Sequence, residues 1–182
     1  GMYAACYKLG IVMTLFGTAF RLGIEPYFFS HLKSDHPEKN YASILEIFVS
    51  IGALILLFTV VFTDLLKIVI VRSSDYWQAI SIVPIILIAN YCLGIYHNLS
   101  VWYKVTDRTK FGAYISIGGA VLTLLVNVFF IPIYGFKASA IATLIAYSFM
   151  MVASFILGRI YYPIPYNFFK IGVVFSLSIL FS

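Results

Sequence analysis

Long apolar runs separated by short polar connections account for almost the whole chain. The first run covers about residues 3–30 and gives way to HLKSDHPEKN, where Pro37 and alternating charges stop a helix. The second covers about 41–62, the third about 77–101, the fourth about 111–131 and the fifth about 136–157, and the last starts near 168 and continues to 182. A membrane-crossing helix needs about 20 residues, and these runs lack the strict alternation of a membrane β-strand. The pattern predicts an all-α fold, a polytopic transmembrane helical bundle of about six segments that forms one unit over residues 1–182. No connection exceeds about fifteen residues, so no soluble domain is expected on either side.

Punctuation within this pattern adds detail. Pro84, inside the third run, predicts a kink, and Pro132 with Gly135 in IPIYG predicts a tight turn from the fourth run into the fifth. Between the second and third runs, TDLLKIVIVRSSDYW reads as an amphipathic stretch lying on the membrane surface, with Lys67, Arg72 and Asp75 kept wet. Small residues recur every four positions: Gly135, Ser139 and Thr143 beside Ala138, Ala142 and Ala146, and Gly112, Ser116 and Ala120 in the fourth run. Such spacing predicts close helix contact.

Orientation follows from the basic residues. Lys33, Lys39, Lys104, Arg108, Lys110, Arg159 and Lys170 fall on one side, against Lys67, Arg72 and Lys137 on the other. The positive-inside rule then puts the connections near 31–40, 102–110 and 158–167 in the cytoplasm. Tyr76, Trp77 and Tyr134 are expected in the outer aromatic belt, and Trp102, Tyr103, Tyr161, Tyr162 and Tyr166 in the inner one.

Composition removes several classes of function. Hydrophobic residues make up 62% of the chain and charged residues 10%, far from the roughly 25% charged residues of a soluble domain. The formal net charge of +5 is scattered over short connections, so no nucleic-acid partner is expected. Cys6 and Cys92 lie in apolar runs without pairing or metal-ligand spacing and read as small buried hydrophobes; no metal or other cofactor is expected. Catalytic signatures such as H-E-x-x-H, G-x-S-x-G or a phosphate-cradling glycine loop are missing, so the chain does not read as an enzyme. The first run starts without a basic leader, and the last is still apolar at Ser182; the chain reads as a piece of a longer protein.

Candidate chemistry concentrates in the first run. Arg21, Glu25 and Pro26 interrupt an otherwise hydrocarbon-like stretch, in AFRLGIEPYFF. A charge at the bilayer centre costs about 2.5–3.5 kcal/mol on insertion scales, so such a residue usually has a partner or an aqueous cavity. Arg21 and Glu25 are four apart on one helix face, which admits two readings: a self-neutralising pair, or an arginine that faces a polar cavity and binds an anion. Pro26 removes a backbone hydrogen bond and loosens the helix where the charges sit. Lys8 either anchors at the interface or lines the same cavity. Glu46, two turns into the second run, either reaches the interface or takes a coupling role. Asn90, His97, Asn98 and Asn127 are expected to hydrogen-bond between helices.

Three strings then suggest a family: FR-x-x-x-EP at Phe20–Pro26, YW-x-x-x-x-x-x-P at Tyr76–Pro84 and IP-x-YG at Ile131–Gly135. With their surroundings they resemble the C-terminal half of bacterial polysaccharide flippases, the O-antigen or lipopolysaccharide exporters of the multidrug/oligosaccharidyl-lipid/polysaccharide superfamily. The resemblance implies two pseudo-symmetric lobes around a cationic cavity, of which this chain would supply part of the second, its partner being an N-terminal lobe of the same chain. It implies a lipid-linked oligosaccharide as substrate, carried by a polyprenyl diphosphate and moved across the bacterial cytoplasmic membrane. Arg21 matches the intramembrane arginine of that family and, with Lys8, would bind the substrate. Glu25 and Glu46 would be coupling groups or charge partners, and Pro26 and Pro84 helix kinks. Leu22 and Gly23 depart from the aromatic or alanine more usual there, so the cavity shape is expected to differ. Two other classes remain open: a cation-coupled small-molecule or multidrug exporter of the same superfamily, which favours carboxylates in its cavity, and a non-catalytic structural membrane subunit, which does not need Arg21.

Overall fold

A computed structural model describes residues 2–30, 36–63, 65 and 81–182, with the backbone alone for 2–9. Among the described residues the structure is helical and contains no strand. α1 spans Met2–Ser30, α2 Pro37–Val61, α3 Val83–Leu99 and α4 Val101–Val105; α5 spans Lys110–Tyr134, α6 Phe136–Tyr161 and α7 Phe168–Leu180. α4 continues α3 after a break at Ser100, whose hydroxyl donates to the His97 carbonyl at 2.6 Å. Among the described residues, four helical runs are long and apolar enough to cross a membrane: Pro37–Val61, Val83–Val105, Lys110–Tyr134 and Phe136–Tyr161. The protein is a membrane protein built of transmembrane helices. The surface-lying stretch expected around Lys67, Arg72 and Asp75 falls outside the described residues, as do Tyr76 and Trp77.

Prolines mark boundaries differently from the sequence pattern. Pro84, expected as a kink inside the third run, stands in the first turn of α3. There its missing N–H has no intrahelical partner to lose, so the residue starts the helix without bending it. Pro37, expected to stop the first helix, opens α2 in the same way. Pro26 lies inside α1, which continues through it to Ser30. Pro132 does not end the fourth run: α5 continues through it to Tyr134, and the turn is left to Gly135 alone, with φ 58° and ψ −140°. A side chain is strongly disfavoured at that backbone geometry, so glycine is what allows one residue to serve as the end of α5 and the start of α6.

α3 is the central helix. Of its apolar stretch 78% is buried, against 11% for α5, which lies at the edge. α3 packs on α1, α2 and α6; α7 packs on α2, and α5 on α6. Lipid tails are as apolar as leucine, so these contacts are held by close packing and hydrogen bonds, not by hydrophobic transfer. The Phe48 ring of α2 occupies the space where any Cβ at Gly94 of α3 would stand. Tyr91 of α3 donates to the Val49 carbonyl at 2.6 Å, and Tyr41 of α2 to the Phe28 carbonyl of α1 at 3.3 Å.

The small-residue stripe of α6 is buried at Ala138, Ala142 and Ala146, and it continues through Met150, Ser154 and Gly158. In α5 the register differs from expectation. Gly112, Ile115 and Gly119 are the buried positions, while Ser116 and Ala120 are exposed. The buried face of α6 keeps a step of four throughout, whereas that of α5 steps by three and then four, which leaves Ser116 and Ala120 outside the contact.

Trp102 and Tyr103, expected in an aromatic belt, are instead buried. Trp102 is 1% exposed and sits over Gly158, with its indole N–H donating to the Ser154 carbonyl at 3.1 Å. Its ring also stacks on Tyr161, 5.9 Å between centroids, and Arg108 lies 4.9 Å from the Tyr161 centroid. α4 ends in a tight return: the Arg108 N–H donates to the Tyr103 carbonyl at 2.8 Å, and Asp107 takes a left-handed φ of 56°. These contacts gather the end of α1, the starts of α2, α5 and α7, and the ends of α4 and α6 at one end of the bundle.

Candidate functional site

Arg21 and Glu25 lie on α1 one turn apart, about 14 Å and 8 Å of helix from Ser30 at 1.5 Å per residue. They do not form the self-neutralising pair that the spacing allows. Glu25 Oε1 instead accepts from Lys104 Nζ of α4 at 2.5 Å, and both side chains are half-buried. Arg21 takes part in no ion pair among the described residues, and its buried Nε has no hydrogen-bond partner. The result is an arginine on α1 without an ion-pair partner among the described residues, one turn from a carboxylate that is already engaged.

α3 closes the other side. Arg21, Ile24, Glu25 and Phe28 of α1 face His97 and Asn98 of α3 and Lys104 of α4 around a cavity with room for about one water. Asn98 is 6% exposed; its amide N–H donates to the Gly94 carbonyl at 3.0 Å, and its Oδ1 is buried without a partner. The cavity thus holds an unfilled donor on Arg21 and an unfilled acceptor on Asn98. Asn90 likewise donates within its own helix, to Ile86 at 3.0 Å, so these asparagines do not make the interhelical bonds expected of them. Tyrosine and tryptophan do so instead, because their longer side chains carry the polar atom across the gap between helices. Asn127 Oδ1 is also buried without a partner, in the peripheral α5.

Glu46 accepts from Lys170 Nζ of α7 at 2.8 Å, which ties α7 to α2 at the end where Glu25 and Lys104 meet. Both carboxylates expected as coupling groups are therefore held by lysines. Lys8 lies on α1, but its side chain falls outside the described residues, as does that of Cys6. Cys92 is a free buried thiol, with Ser148 Oγ 3.8 Å from its sulfur. Among the described residues no group of three or more His, Cys, Asp or Glu side chains is placed to hold a metal ion.

Sequence reasoning found Arg21 and Glu25 but counted Lys104 and Lys170 only as orientation signals. Each lies at the same bundle end as a carboxylate set inside a neighbouring run, and that juxtaposition was the available cue. In the connection that follows α6, burial raises the Tyr162 phenol above its ordinary range, helped by the nearby Glu38 charge, and burial raises Tyr166 further. Both phenols thus resist ionisation further into the alkaline range than a free tyrosine does.

Comparison with protein-family models, curated proteins and solved structures finds no match to this chain.

Proposed function

We propose that this chain contributes to the translocation of a polyprenyl-diphosphate-linked oligosaccharide across a bacterial cytoplasmic membrane, with Arg21 as the residue that holds the anionic diphosphate. The observation that carries the reading is the state of Arg21: it stands within a long apolar helix, its Nε is unpartnered, and the carboxylate one turn away is taken by Lys104. A guanidinium kept in that condition is suited to a ligand that brings its own negative charge, and its planar fork matches two phosphate oxygens at once. The cavity beside Arg21 is too small for a diphosphate, so the ligand would reach the partly exposed Arg21 side chain from outside it, where a further lobe of the protein would stand.

The cell-surface polysaccharide context comes from the three sequence strings that resemble those exporters. In the expected mechanism one lobe rocks against the other, exposing the arginine to each side in turn. The bundle end that carries Arg108, Lys110, Arg159 and Lys170 would face the cytoplasm, where excess basic charge is retained. The exporter of small cations is disfavoured by the pairing of Glu25 and Glu46 with lysines, which leaves neither carboxylate free for a cation.

The test is lipid-linked oligosaccharide translocation in cells carrying the full-length protein. Arg21→Ala removes a charge-assisted hydrogen bond and is expected to lower translocation by roughly tenfold or more, with Arg21→Lys retaining a substantial part. Normal membrane levels of both variants together with wild-type translocation would reduce Arg21 to a structural residue and overturn the reading.

A further inference from the structure

We propose that Lys104 is a positioning residue for the anion site: by holding the Glu25 carboxylate it keeps that carboxylate off Arg21 and leaves the guanidinium free for an anionic ligand. This rests on the reading of Arg21 as the diphosphate-binding residue.

Glu25 follows Arg21 by four residues, the spacing at which oppositely charged side chains meet on a helix surface. Without a competitor the two would neutralise each other, and an incoming phosphate would have to displace a carboxylate tethered one turn away. Lys104 is that competitor. It reaches Glu25 from another helix, 79 residues along the chain, at 2.5 Å. Its backbone is fixed by its neighbours: Trp102 is locked over Gly158 and bonded to Ser154, and Tyr103 accepts the Arg108 N–H that closes α4. The lysine is thus presented to Glu25 by a rigid turn. Two atoms in the same cavity fit this account, since Arg21 Nε and Asn98 Oδ1 are both buried without partners beside a carboxylate that is engaged by Lys104.

The arrangement makes a prediction that simple charge counting does not: the two substitutions are not additive. Removing a positive charge near an anion site normally weakens binding wherever the charge sits, and removing a nearby negative charge normally strengthens it. If Lys104 acts through Glu25, its loss harms binding only while Glu25 is present. The probe is farnesyl diphosphate, a short prenyl diphosphate, titrated calorimetrically into the purified full-length protein. Lys104→Gln is expected to weaken binding about fivefold, the scale of one modest ion pair gained by the competing carboxylate. Glu25→Gln is expected to bind at least as tightly as wild type, and the double variant Glu25→Gln/Lys104→Gln to return to the level of Glu25→Gln. Lys104→Arg keeps the charge and is expected to keep binding, which separates loss of the charge from loss of the fold.

A double variant as weak as Lys104→Gln would show that the lysine touches the anion itself, and wild-type binding by Lys104→Gln would show that Glu25 never turns to Arg21; either overturns the proposal while leaving the anion site standing. Unchanged binding by Arg21→Ala would overturn the anion site and this proposal together.

Discussion

Asp107 and Gly135 both sit at positive φ, yet they differ in what substitution would do. Asp107 carries a side chain in the left-handed region that closes α4, where glycine is the favoured residue. Asp107→Gly is expected to raise stability by about 1 kcal/mol, read as a higher midpoint of thermal unfolding in detergent. Gly135→Ala should do the reverse, costing about 1–3 kcal/mol, because its ψ of −140° places it where only glycine is comfortable. At this scale the sequence was legible for residues whose chemistry conflicts with their surroundings. Arg21 is conspicuous among apolar neighbours, and Gly135 beside Pro132 announces a turn. It was not legible for Lys104, an ordinary lysine in an ordinary connection until the fold brings Glu25 to it.

Helices were legible as apolar runs, and their ends were not. Pro37, Pro84 and Pro132 were each read as interruptions, although two of them begin helices and the third lies within the last turn of α5. A proline disrupts a helix where the N–H it lacks would have been bonded and where its ring meets a preceding turn, and neither condition holds in a first turn. Contact faces were half legible: the alanine stripe of α6 was found, while the glycine face of α5 was misplaced because its step alternates between three and four. Close approach of α2 and α3 depends on Gly94 leaving room for Phe48. Gly94→Leu is therefore expected to push these helices apart and destabilise the protein by about 1–3 kcal/mol, through overpacking against the buried Phe48 ring. Retention of the wild-type unfolding midpoint in detergent would contradict that packing.

Across the whole molecule, burial falls from the central α3 to the peripheral α5, whose Ile117, Val121, Leu124, Leu125 and Val128 are exposed. A face of that composition belongs in lipid or against another apolar surface. Tryptophan at Leu124 is expected to be tolerated and to be quenched by brominated lipids, whereas tryptophan at Ala142 should prevent correct assembly. An unquenched residue 124 would mean that protein covers this face. The same gradient explains why composition and periodicity predicted the class of the fold while the location of the site depended on contacts between helices far apart in sequence.

The one-residue turn at Gly135 has a bearing on how the protein is made. α5 is synthesised before α6, and although Gly112 meets Tyr103 of the earlier α4, Gly119 has nothing to close on until Met150 of α6 emerges. Because no slack separates the two, α6 cannot enter the membrane independently and find α5 afterwards. The pair passes into the membrane as a hairpin, with Gly135 at its tip and Lys137 two residues behind it.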